Sequence, residues 1–200
     1  MLIHKVRTMK NPAKKFSADN KGIAAVEMAI IMPFLLFLYF GLFDITSFIT
    51  VSRKVTSSAS IVADLVTQNA NYVLGTQVTD YYNAPDIVMA PISSTDVRVE
   101  LFGFRKTGST IAQFWQKNNG RGSSCGTAPA ASTLTNLMTA GNDLVVARVC
   151  TPFVPHFASF MGQYIFGKTS YMMVETITQR PRASLQLTCY QAAVNGALCS

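Results

Sequence analysis

The chain has 200 residues, a mass of 21.8 kDa and a mean hydropathy of +0.25, enough for a membrane span plus one domain with a real core and too little for two full domains. Only 14% of its residues are charged, against roughly 25% in a typical soluble domain, which points to membrane contact. The net charge of +7 does not signal a nucleic-acid partner: Arg53-Lys54 and Arg105-Lys106 are isolated pairs, with no stripe of basic and aromatic residues joining them.

Residues 1–22 hold six Lys/Arg (Lys5, Arg7, Lys10, Lys14, Lys15 and Lys21) against one acid, Asp19, whereas residues 23–200 hold eleven against nine. The basicity is therefore a short tail beside an apolar run. Such a tail stays on the cytoplasmic side and touches anionic lipid readily. The run from Ile23 to Phe43 is long enough to cross a bilayer, and longer than the apolar core of a secretory signal. The nearest small-residue site, Ser57-Ser58-Ala59, lies far beyond it. These features predict a basic cytoplasmic leader over 1–22, a retained transmembrane helix over 23–44, and an exported domain over 45–200. The cytoplasmic membrane is the expected location, with the C-terminal part outside it.

Two residues in the run are out of keeping with a plain anchor. An ionised side chain such as Glu27 costs several kcal/mol deep in hydrocarbon. Pro33 removes a backbone donor and can kink the helix, which membrane helices tolerate where neighbours re-satisfy the freed group. Glu27 could simply sit near the interface and snorkel. A Gly before the span with a Glu five residues later also resembles the type IV prepilin (class III) signal. That resemblance implies cleavage between Gly22 and Ile23 by a prepilin peptidase, with the span retained. A new α-amine on Ile23 and the Glu27 carboxylate could then neutralise each other within a packed bundle of spans.

The stretch "KGIAAVEMAIIMPFLLFLYFGLFDIT" as a whole resembles the TadE/TadG-like family of minor pseudopilins, from the tight-adherence (Flp) branch of type IV pilus systems. The matching features are Gly22, Ala24-Ala25, Val26-Glu27, Pro33, the Leu/Phe run, Gly41 and Asp44. "ASIVADLVTQ", "DIVMAPISSTDVRVEL", Trp115, "LVVARVCTPFVP" and "TQRPR" extend the likeness into the exported part. The resemblance implies a structural role. Its partners would be the lipid bilayer, other pilins and pseudopilins, pilus platform proteins and the peptidase. Met28 after Glu27 and the long exported domain set the chain apart from the major Flp pilin, and Ile23 replaces the Phe common at the first mature position of ordinary type IV pilins. The Asp-x-Ser-x-Ser metal motif of larger TadG-like members is missing from the sequence.

Beyond the span, Ile45, Phe48, Ile49, Ser52, Val55, Ala59, Val62 and Val66 recur at helical spacing, which predicts one helix from Ile23 to Asn69, about 70 Å long. The alternative is two helices broken near Gly41–Ser47. Asp44 reads either as a solvated interface acid or as a contact to a neighbouring subunit. A short helix is expected to begin at Ala84-Pro85 and end at Pro91. "DVRVELFGF" alternates, with Val97, Val99 and Leu101 on one face and Arg98 and Glu100 on the other. "KTGS" at Lys106–Ser109 reads as a hairpin turn into a return strand, "TIAQFWQ". "NNGRGSSCGTAPAAS" reads as a loop, "TLTNLMTA" as a short helix ending at Gly141, and "DLVVARVCTPFV" as a third strand. "HFASFMGQYIF" reads as a Phe-rich loop or helix turn and "TSYMMVETITQ" as a fourth strand. The expected fold class is α+β, a long helix covering an antiparallel sheet of about four strands.

Cys125, Cys150, Cys189 and Cys199 all lie on the exported side, where an even number suggests disulfides. Of the three possible connectivities, Cys125–Cys150 with Cys189–Cys199 joins the pairs nearest in sequence. Zinc is the rival, but the sequence holds no Cys-x-x-Cys pair and only one exported His, His156. No glycine-rich phosphate loop, Gly-x-Ser-x-Gly elbow or His-Glu-x-x-His is found. The residues therefore predict no enzyme, no cofactor, no metal and no nucleic acid. The runner-up function is an unprocessed, signal-anchored envelope binding protein outside any pilus.

Overall fold

The computed structural model describes residues 21–69, 72–156, 169–182 and 187–190. The leader (1–20), the Phe-rich stretch 157–166 and Cys199 lie outside the described residues, as does the side chain of Cys189.

The long apolar segment forms one α-helix, α1 (Lys21–Thr67), of 47 residues with Pro33 inside it. It is not broken near Gly41–Ser47. The boundary between two compact units falls within this helix, between Phe43 and Asp44. In the first unit, residues 22–43 are exposed all round, Gly41 alone being half-buried. In the second, α1 buries a single stripe, Val55, Ala59, Val62, Ala63 and Val66, at the 3.6-residue period. Ser and Thr hydroxyls in this half bond back to carbonyls four residues earlier, at Thr50, Thr56, Ser60 and Thr67. The helix ends because Asn69 supplies the missing donors: its Nδ2 reaches Leu65 O at 3.2 Å and Val66 O at 3.0 Å. The Arg182 N–H takes Thr67 O at 3.0 Å.

A three-residue strand, β1 (Tyr72–Leu74), leads into α2 (Gly75–Met89). This corrects the expected helix start at Ala84-Pro85. Pro85 lies inside α2 and is buried, so only the Tyr81 carbonyl forgoes its usual partner. The helix does stop before Pro91, as a following proline disfavours helical φ/ψ in the residue before it.

The main sheet comprises β2 (Arg98–Thr107), β3 (Thr110–Asn118), β4 (Asp143–Phe153) and β5 (Tyr171–Gln179), in the order β3-β2-β4-β5, antiparallel throughout. The β2–β3 turn is the expected two-residue loop, with Gly108 at φ +61°, where a side chain would be strained. "TLTNLMTA" is not an α-helix ending at Gly141. A 3₁₀ segment occupies Ala131–Leu137 instead, and Gly141 turns at φ +85° into β4. A final short strand, β6 (Thr188–Tyr190), pairs in parallel with β1, Val73 opposite Cys189.

Alternate residues of the sheet serve two cores. Val99, Leu101, Val145, Ala147, Val149, Phe153 and Met173 pack with the α1 stripe. The opposite face, expected to be polar, is also covered: Phe102, Phe104, Leu144 and Val146 pack under Leu134 and Met138 of the 3₁₀ segment. The fold is α+β, as expected, with a third layer of loop.

Trp115 closes the α1-side core beside β2. It lies opposite Gly103 and is only 3% exposed. A Cβ built on Gly103 would lie 2.0 Å from Trp115 Nε1, so the indole occupies the space that any larger residue would claim. The register slips between Gly103 and Phe104, a bulge beside this contact.

Candidate functional site

Between Gly22 and Phe43 the helix offers an apolar surface on every side. Its best window has a mean hydropathy of 2.2, with none of it buried. By length and composition this is a candidate membrane anchor. A helix that is apolar all round has no polar face to turn to water, a pattern that fits a buried helix or a membrane span. Gly22 and Ile23 sit in its first turn, and Ile23 is 56% exposed. Apart from its chain neighbours and its own helix backbone, no atom among the described residues lies within 4 Å of where a Gly22 side chain would project. Glu27 is exposed on the same cylinder, one turn beyond Ile23, without a hydrogen bond or ion pair among the described residues. Pro33 lies mid-segment, where its missing N–H leaves the Ala29 carbonyl without its helical donor. Gly22, Ile23, Glu27 and Pro33 thus share one uncovered helix.

Asp44, the first residue past this segment, is neither a solvated acid nor a group offered to a neighbouring subunit. It is buried, and its Oδ1 accepts the His156 backbone N–H at 2.9 Å. It holds the chain leaving β4 against α1. One turn further, Phe48 meets the Phe153 ring edge-to-face at 5.5 Å.

Several charged groups of the second unit are engaged in ion pairs that tie its elements together. Glu100 and Arg148 face each other across β2 and β4, with Arg148 Nη2 donating to Oε2 at 2.7 Å. Arg98 Nε donates to Oε1 at 2.7 Å. Arg148 also donates to Thr127 O at 2.6 Å, and the Cys125 N–H reaches Glu100 at 3.5 Å. Burial pushes the Glu100 carboxyl up, but hydrogen bonds from Arg98 and Arg148, the Arg148 charge and the Cys125 N–H outweigh it and hold it below the usual range. Cys125 and Cys150 are bonded to each other, with 25 residues of separation. Disulfide and ion pair together pin the 119–130 loop to the sheet.

Asp143 is a second anchor, buried and gripped by Arg105 through two 2.7 Å hydrogen bonds, while its Oδ2 accepts the Leu187 N–H at 2.6 Å. The Asp143 contact raises the Arg105 guanidinium above its already high range. Arg121 reaches from the loop to Asp86 on α2 at 2.7 Å. Glu100 and Asp143 thus each face an arginine in a closed pair. Among the described residues no three His, Cys, Asp or Glu side chains gather to hold a metal ion. His156 is exposed.

Sequence reasoning placed Arg98 and Glu100 on the strand face opposite Val97, Val99 and Leu101 and did not see the ion pairs. The available signal was the alternation of "VRVE" with "VVARVC", which puts Glu100 and Arg148 on the same face once the strands are neighbours.

Comparison with known proteins bears on the helix. The model of one family matches residues 22–64, and its description is "TadE-like protein". Over residues 22–64 the chain is similar to that family. The TadE-like region begins at Gly22, includes Glu27 and Pro33, and ends within the buried stripe of α1. It thus unites the uncovered apolar half of the helix with the half that packs on the sheet. No curated protein and no solved structure matches the chain.

Proposed function

We propose that this chain is a minor pseudopilin-like structural component of a tight-adherence type IV pilus or secretion apparatus. The observation that carries this reading is the TadE-like region over residues 22–64. It starts at the Gly of a prepilin-type signal and covers an apolar helix whose acid is unpaired among the described residues. The basic leader stays in the cytoplasm, the helix crosses the inner membrane, and the second unit is exported. A prepilin peptidase cuts between Gly22 and Ile23. The partners are the bilayer, other pilins and pseudopilins, and the pilus platform.

Glu27 is the assembly determinant. An acid costs about 2.5–3.5 kcal/mol at the centre of a membrane helix, and less near its end. Glu27 stands four residues from Ile23, so a freed Ile23 amine in the same or a neighbouring helix neutralises it. The supporting chemistry is that both groups are unfavourable in lipid alone and favourable together.

The test is the N-terminus of the membrane-extracted protein, by intact mass. A chain beginning at Ile23 is expected. Glu27→Ala is expected to insert normally yet fail to co-purify with pilus components. A chain keeping its basic leader, together with normal co-assembly of Glu27→Ala, refutes the reading in favour of a plain signal-anchored envelope protein.

A further inference from the structure

The chain leaves β3 through Asn118-Asn119-Gly120. Asn119-Gly120 is one of two Asn-Gly pairs in the sequence, and the other, Asn195-Gly196, lies outside the described residues. An Asn followed by Gly carries its own reaction: the Gly nitrogen can close on the Asn side-chain Cγ, because no Cβ on the Gly stands in the way. In this protein the Asn119 side chain is also the clasp of the 119–130 loop. Its Nδ2 donates to Val97 O at 2.9 Å, and its Oδ1 accepts the Val99 N–H and the Arg121 N–H, both at 3.2 Å. The Gly120 N–H donates to Asn118 Oδ1 at 2.9 Å. Both reacting groups are therefore occupied, the leaving nitrogen by Val97 and the attacking nitrogen by Asn118.

We infer that Asn119 is a site of spontaneous deamidation that the fold holds latent, and that opening of the 119–130 loop releases the reaction irreversibly. The chemistry needs only water. Gly120 N loses its proton to water or hydroxide and bonds to Asn119 Cγ. The Cγ–Nδ2 bond breaks, and ammonia leaves with a proton taken from solvent. The five-membered succinimide then takes up one water at either carbonyl, giving aspartate or isoaspartate at position 119. Two N–H donors on Oδ1 are placed to stabilise the oxyanion of that attack, so they do not hold the reaction back. The other two bonds do. A hydrogen bond to the protonated form disfavours ionisation, so the Asn118 acceptor opposes loss of the Gly120 proton. The Val97 acceptor ties the leaving group beside the start of β2. The product cannot rebuild the clasp. Aspartate sets a second acceptor against Val97 O where a donor stood, and isoaspartate lengthens the backbone by one carbon ahead of Gly120. Arg121, whose ion pair to Asp86 at 2.7 Å ties the loop to α2, lies just beyond the altered bond.

Peptide mapping by mass spectrometry tests this on the full-length protein in detergent micelles, with fragment ions that separate Asn119 from Asn118 and Asn195. At mildly alkaline pH, amide-to-acid conversion at Asn119 is expected to run at least about tenfold slower in the folded protein than in the same chain unfolded in urea, since the loop must first open. Equal rates overturn the latency, and no conversion in the unfolded chain overturns the site itself. Asn118→Ala takes the acceptor from the Gly120 N–H and is expected to speed conversion in the folded protein about two- to tenfold, the factor that an ordinary hydrogen bond is worth. Asn118→Asp keeps an acceptor oxygen and is expected to be no faster than the unaltered chain. Asn118 is exposed, and emission from the buried Trp115 reports that each variant is folded. An unchanged rate in Asn118→Ala, or equal acceleration in Asn118→Asp, refutes the Gly120 hydrogen bond as the restraint and the inference with it. Asn119→Asp stands for the product: its urea midpoint is expected to fall by about 0.5–1 M, and an unchanged midpoint refutes the irreversible release.

Discussion

Removing the Cys125–Cys150 bond, by Cys125→Ala with Cys150→Ala, tests how the second unit holds its longest described loop. Closing a chain segment of 25 residues in the unfolded state removes about 12 cal/mol/K of entropy on the chain-entropy model, or about 3.5 kcal/mol of stabilisation. Two opposing corrections apply. Both sulfurs are buried, so their loss also leaves a small void, which adds to the cost. The bonds from Arg148 to Thr127 and from Cys125 to Glu100 remain and keep the loop in place in the folded state, so little native structure is lost. A net loss of about 3–4 kcal/mol is expected. Urea unfolding in detergent micelles measures it, and Trp115, the single tryptophan, reports from the core. With a slope of about 2 kcal/mol per molar urea, the midpoint falls by about 1.5–2 M. A fall below about 0.5 M, with the slope unchanged, would refute the loop-closure reasoning and assign the loop to its polar contacts instead.

Further outcomes follow from the same contacts. Gly103→Ala puts a methyl where the Trp115 indole lies and is expected to cost about 1–3 kcal/mol, with a shift in Trp115 emission; an unshifted spectrum at full stability would show that the ring moves freely. Asp143→Asn strips Arg105 of its charged partner and weakens the acceptor for the Leu187 N–H, for an expected loss of about 2–3 kcal/mol in the same urea assay. For Glu100 the folded pKa lies below its ordinary 4.5. Its stabilising contribution is therefore fully present above that value and is lost as pH falls through the folded pKa, because the unfolded chain takes up the proton first. Glu100→Gln should remove this part of the acid dependence as pH falls through and below the ordinary carboxylate range, and an unchanged acid profile would refute the assignment.

The helix was legible because its signals are local. Twenty-odd apolar residues, then a stripe at Val55, Ala59, Val62 and Val66, need no partner to be read, and the bounds of α1 lie within two residues of expectation. The four strands were legible for the same reason, since alternation and the Gly108 turn are properties of neighbours in sequence. α2 was placed ten residues late because Pro85 was read as a helix start, whereas burial of Val78 and Met89 against the core outweighs the one bond that Pro85 removes. The β1–β6 pair was invisible. Three residues carry no period, and their partners are more than a hundred positions away.

Sequence by itself marked the candidate membrane anchor and the α+β class, and it is the source of the proposed processing and assembly residues, Gly22, Ile23 and Glu27. Each is a matter of composition or spacing along one helix. Only the tertiary structure decided what the charges do. Nothing local in the sequence pairs Asp44, Glu100, Arg148 or Asp143 until the strands are set side by side. Then each proves to be buried against a donor or acceptor far away in the chain. Hydrophobic periodicity shows which way a residue faces. Whether that face meets water or another layer depends on the covering segments, here the 3₁₀ segment and the loop that Cys125 ties down.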